Sequence, residues 1–204
     1  LTNSGGIGAS NGSLSARAAS IANTGTIASK ADLTLNSASS LSNVGGKISN
    51  TAGLASIEAV GVLDNTGGTV LNQSGNMILS AQDVTNNEGV IQAGGNLTAA
   101  LGSYSSNAHS FFTAEQALAV TVSGNLDNEG TLGGSTDVLV TADSLTNAAS
   151  GLLLATGGSL SLNVGDRQRQ AANDSVLFDG VSGNTVTGTV SNTGMLYSAG
   201  GMSL

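Results

Sequence analysis

The chain has 204 residues with 30 Gly and no Pro, Cys or Trp, and only 9% of it is charged, against roughly 25% in an ordinary soluble domain. A net charge of -8 with five basic residues (Arg17, Lys30, Lys47, Arg167 and Arg169) leaves no cationic footprint for nucleic acid, an anionic membrane or a heparin-like polymer. Without Cys there is neither a disulfide nor a thiolate metal site, no apolar run approaches the ~18 residues of a membrane helix, and at 39% hydrophobic the chain is too apolar to be a disordered segment.

Two short patterns alternate along the chain. LTNSGGIG at residue 1 is followed by the alternating stretch LSA at 14, IANTGTIA at 21 by LTL at 33, LSNVGGKI at 41 by LASI at 54, and LDNTGGTV at 63 by MIL at 77. Asn86 is then followed by LTA at 97, LDNEGTLG at 126 by VLV at 138, Asn147 by LSL at 160, and VSNTGMLY at 190 by MSL at 202. Alternation at period two predicts half-buried strands. FFTAEQALAVTV, residues 111–122, departs from this, and its centre TAEQALA predicts one or two helical turns.

The Asn of the first pattern falls at Asn3, Asn23, Asn43, Asn65, Asn86, Asn128, Asn147 and Asn192. The intervals are 20, 20, 22, 21, 42, 19 and 45 residues. Reading the 42 as two periods and the 45 as two periods plus a few residues predicts about ten units, a repeat length typical of solenoids. A unit this short cannot bury its own apolar face. Stacked coils can, because each strand then pairs with its copy one unit on and the inward Leu, Ile and Val form continuous ladders. The repeated turn follows from the stacking. Gly supplies conformations that a Cβ forbids, and identical Asn side chains one strand spacing apart can hydrogen-bond in a ladder. Those eight Asn are therefore the predicted structural turn residues, and the absence of Pro fits an uninterrupted ladder.

The pattern breaks twice. Gly102 to Thr113 holds Tyr104, His109, Phe111 and Phe112, and Asn163 to Gly183 holds Asp166, Arg167, Arg169, Asp174, Phe178 and Asp179. Both read as loop excursions from one continuous segment spanning residues 1–204. Binding residues concentrate on loops set on rigid scaffolds, and aromatics and Arg are favoured anchors. Tyr104, His109, Phe111, Phe112, Arg167, Arg169 and Phe178 are thus candidate receptor contacts for a cell-surface protein or glycan. The competing reading is that the Phe pair holds a loop down on the rod and the Arg side chains pair with nearby Asp.

No catalytic, cofactor or metal site is read from the chain. The one His has no Cys and no second His beside it. Asp32, Asp64, Asp83, Glu88, Asp127, Glu129, Asp137 and Asp143 fall at scattered repeat positions, not in the cleft of a polysaccharide-degrading β-helix enzyme, although Asp127 and Glu129 could share a corner. There is neither a phosphate-binding loop nor a calcium nonapeptide.

The alternation of L-x-N-x-G-x-I with GG-x-L-x-L in register along nearly the whole chain resembles the filamentous haemagglutinin repeats of large secreted exoproteins of Gram-negative two-partner secretion systems. These include adhesins and contact-dependent growth inhibition proteins. The resemblance implies an all-β, right-handed parallel β-helix that is exported through an outer-membrane β-barrel transporter and acts as a stalk carrying adhesive or toxin modules to another cell. Neither the secretion module nor a toxin module of such proteins is recognisable here. LTNSGGIGAS lacks the basic and apolar regions of a signal peptide, so the chain reads as an excerpt of a longer array. Unpaired edges on its terminal strands predict end-to-end self-association of the fragment at high concentration.

Overall fold

The computed structural model describes residues 1–165 and 189–204. Among them there is no helix, and every strand pair is parallel. Two sheets of thirteen and nine strands stack the coils into a β-solenoid.

One coil shows how the sequence makes it. Along Ala55–Asp64 the residues Ala55, Ile57 and Ala59 point inward and are buried, while Glu58 and Val60 face solvent. The strand bends at Gly61, and Leu63 turns back into the core. Asn65 forms a corner, Thr69–Asn72 runs along the second sheet, and a second corner leads to Met77–Thr85, one rung on. In the first rungs the long strand is still split. Leu33–Ser37 and Leu41–Ser42 both pair with the single strand Ala55–Asp64. From there the bend is kept as a register irregularity between Ala81 and Asp83, Leu101 and Tyr104, and Val122 and Asn125.

Register stacks like on like. In the second sheet Ile27, Ile48, Val70, Ile91, Phe112 and Leu132 follow one another rung by rung, each buried. Each large aliphatic so buried contributes about 1.5–3 kcal/mol, which a single coil could not collect without neighbours above and below.

Three expectations need correction. The nine-stranded sheet has nine rungs, bounding eight complete turns, in place of about ten coils. The miscount arose at the 45-residue interval, because Asn147 pairs directly with Asn192 and the added length is one insertion in a single turn. TAEQALA forms no helix. Phe111–Ala114 and Leu118–Asn128 are strands, since Leu118, Val120 and Val122 alternate inward and neighbouring rungs bond their backbones on both sides. Gly102 to Thr113 is not an excursion either. Leu97–Ser105 and Phe111–Ala114 lie in register with the rungs before and after them. Of the second irregular stretch, Asn163 and Val164 close the strand Leu160–Val164, and the chain rejoins the sheet at Thr189. Asp166, Arg167, Arg169, Asp174, Phe178 and Asp179 lie outside the described residues.

Candidate functional site

The eight landmark Asn stand in a single file at the first corner. Asn3 Nδ2 donates to Asn23 Oδ1 at 2.7 Å, Asn23 to Asn43 at 2.7 Å, Asn43 to Asn65 at 2.7 Å and Asn65 to Asn86 at 2.8 Å. The file resumes with Asn128 to Asn147 and Asn147 to Asn192, both at 2.8 Å. The amides from Asn3 to Asn147 also donate to backbone carbonyls, as Asn65 does to Gly68 O and Val90 O. The ladder fixes the sequence at the turn that follows. A Cβ on Gly68 would collide with the backbone carbonyl of Asn43 and the side chains of Asn43 and Asn65, so that position admits only Gly.

A related device explains the Gly-Gly pairs before the strands. Asp137 Oδ1 accepts from Ser159 N and Ser159 Oγ, both at 2.8 Å, one rung on. These bonds hold its carboxyl below the usual Asp range. A Cβ on Gly158 would occupy the place of that carboxylate. Asp32 grips Leu54 N in the same way, and Asn76 grips Asn96 N.

The ladder is interrupted once. Its sixth position, within the 42-residue interval, is Ser106, whose side chain is too short to continue the file. Ser106 Oγ donates onward to Asn128 Oδ1 at 3.2 Å, and Asn86 Nδ2 turns to Phe111 O at 3.0 Å. Tyr104 fills the space. It replaces the Leu63, Val84 and Leu126 of its column and meets Phe112 edge to face, with ring centroids 5.3 Å apart. Its hydroxyl lies beside Asn86 and Ser106 without hydrogen-bonding geometry to either, and burial pushes its pKa up to about 12.

Tyr104 and Phe112 are 1% and 0% exposed, so neither is available as a receptor contact. Alternation along the strands puts both inside, whereas the sequence taken as a loop placed them outside. His109 and Phe111 do face solvent, Phe111 being 46% exposed. His109 sits in the turn after Ser106, where Asn107 Oδ1 receives its backbone N–H at 3.3 Å. Arg167, Arg169 and Phe178 lie outside the described residues.

Asp127 and Glu129 flank the buried Asn128 on the exposed side of one corner. Among the described residues no three His, Asp or Glu come close enough to hold a metal ion. Among the described residues no helix is long and apolar enough to cross a membrane. Among the described residues the arrangement ties each rung to the next.

A family model described as the haemagglutinin repeat matches residues 9–67, 51–102, 92–164 and 155–204. No curated protein and no solved structure matches the chain.

Proposed function

Since the chain belongs to the haemagglutinin repeat family, we propose that it is a length of stalk in a secreted, adhesin-like surface exoprotein of a Gram-negative bacterium. It holds binding or toxin modules at a distance from the cell that made it. The observation that carries this reading is the continuous rung-to-rung pairing. Every described rung pairs with the next, so the segment has one axis and its length is set by rung number. A solenoid of this kind needs no ligand to act as a spacer.

Export through an outer-membrane β-barrel transporter belongs to the same proposal. Its test is surface protease treatment of cells expressing the full exoprotein with and without that barrel. The stalk reading expects fragments of this segment to be released only when the barrel is present. Release without the barrel, or retention inside the cell with it, contradicts the reading.

A second reading makes this segment itself a receptor contact. The observation favouring it is that Phe111 stands exposed on the second sheet in the same outward column as Val90 and Leu152. Phe111→Ser with His109→Ala should then weaken cell binding at unchanged stability. Equal binding by both proteins removes this reading and leaves the stalk.

A further inference from the structure

Between two inward columns of the long sheet the chain bows outward on rung after rung. One column is Ala59, Ala81, Leu101, Val122, Ala142 and Val164, and the other is Leu63, Val84, Tyr104, Leu126, Leu145 and Val190. The chain spans the gap with residues 60–62, 82–83, 102–103, 123–125 and 143–144 on five successive rungs, and none of these is buried. On the next rung the gap holds residues 165–189, of which 166–188 lie outside the described residues. Both columns keep their register there. Val164 pairs with Ala142, Val190 pairs with Leu145, and the Asn file continues from Asn147 to Asn192. The same gap therefore holds spans of very different length without the loss of a rung.

The two corners are held far more tightly. At the first corner a Cβ on Gly68 or Gly89 would strike the carbonyl of Asn43 or Asn65 on the rung below, and the Asn file beside them is buried. At the second corner Asp32, Asn76 and Asp137 accept the backbone N–H groups of Leu54, Asn96 and Ser159 from the next rung. The bend also has side-chain bonds between rungs, Ser103 to Asp83 and Ser144 to Asn125. They join residues that are not buried, so water can replace them at little cost. The backbone register shifts at the bend on three rung pairs, which shows that stacking does not dictate its length.

We propose that the bend is the rod's port for appended segments: each rung can carry an added stretch of chain there while the solenoid on either side keeps its register. The two ends of such a stretch are fixed by the inward columns, which neighbouring rungs already hold in place. Lengthening the span between fixed ends then costs only as the logarithm of its length. Insertions into a solenoid leave from one face, and here the face is set by the bend. Because the bend stays between the same two columns, segments carried on different rungs emerge in single file along one side of the long sheet. The port does not rest on the stalk reading, since it concerns where the rod admits added chain and not what the rod presents.

The test places one and the same short Gly/Ser segment, of about eight residues, at separate sites in the 204-residue chain and compares urea midpoints by circular dichroism. Two variants carry it at the bend, after Val60 and after Ser123, on different rungs. A third carries it at the first corner, after Gly67, where it parts Gly68 from the Asn65 amide. A fourth carries it at the second corner, after Gly157, where it disturbs the hold of Asp137 on Ser159. Both bend variants should keep a cooperative transition within about 0.5 M urea of the parent, the shift expected from loop length alone. Each corner variant should fall at least about twice as far, because it also loses hydrogen bonds between rungs. A bend variant that falls as far as the corner variants, whether on one rung or both, would overturn the proposal.

Discussion

Asn65 shows what one residue does for the rod. It accepts from Asn43 and donates to Asn86, so Asn65→Ala leaves a buried donor below and a buried acceptor above. The expected cost is on the order of 2–4 kcal/mol, read by urea denaturation, since an unsatisfied buried polar group costs ~1–3 kcal/mol. Asn50 is the internal control. It is equally buried, at the second corner, but its amide nitrogen and oxygen have no partner. Asn50→Ser, the residue type of Ser29 one rung below, should be neutral or stabilising. A loss for Asn50→Ser as large as that for Asn65→Ala would contradict the ladder account. Tyr104 adds a pH test. Its folded pKa is raised above the unfolded value near 10, so its contribution is complete below pH 10 and is lost as pH rises toward about 12. Between pH 8 and 11 the wild type should lose on the order of 1 kcal/mol more than Tyr104→Phe, because one unit of pKa difference is ~1.4 kcal/mol. Parallel losses in the two proteins would show that the hydroxyl does not sense burial. The Asn file could be read from sequence because its side chain and the following Gly recur together. Ser106 could not, because the geometry of the position is conserved from rung to rung while the side chain is not, and Asn50 repeats no neighbour's role.

The element that matters is the rung, and its boundaries are testable by deletion. Asn65 and Asn86 are 21 residues apart and occupy the same place on successive rungs. Removing residues 66–86 therefore joins Asn65 to Asn87 in register and should leave a folded solenoid one rung shorter. Removing only residues 66–75 throws every following inward residue out of its column. Circular dichroism and denaturant unfolding separate the two: the first keeps a cooperative transition, the second loses it, and equal behaviour refutes the register argument. The Tyr104 rung gives a sharper test of coupling inside an element. Ser106→Asn restores the missing amide, and Tyr104→Leu restores the usual column residue and frees space. Each single change should destabilise, and the pair should recover at least ~1 kcal/mol of coupling in a double-mutant cycle. Additive effects would mean that Tyr104 and Ser106 are unrelated. This rung is also where the sequence misled. Aromatics, a His and the helix-favouring run TAEQALA suggested a loop and a helix, but stacking decides the outcome: neighbouring rungs supply backbone partners on both sides and override local propensity. The bend in the long sheet left no sequence signal either, because it is marked only by small residues scattered among many others.

At the scale of the whole molecule the sequence was informative for a simple reason. A solenoid is close to one-dimensional, so its period, its inward columns and its corner residues all appear as sequence repetition. Surface features do not repeat: the sequence offered Tyr104, His109, Phe111 and Phe112 alike as contacts, and only the fold separates the buried Tyr104 and Phe112 from the exposed His109 and Phe111. The central claim is that this segment is spacer whose length is counted in rungs. The most direct measurement is small-angle X-ray scattering on the chain beside versions in which residues 44–86, two rungs bounded by Asn43 and Asn86, are repeated once, twice and three times. The account predicts a constant cross-sectional radius and a maximum dimension that grows by about 10 Å per inserted copy, two strand spacings of ~4.8 Å. A cross-section that widens as copies are added, or a maximum dimension that grows only as a compact globule's would, contradicts it.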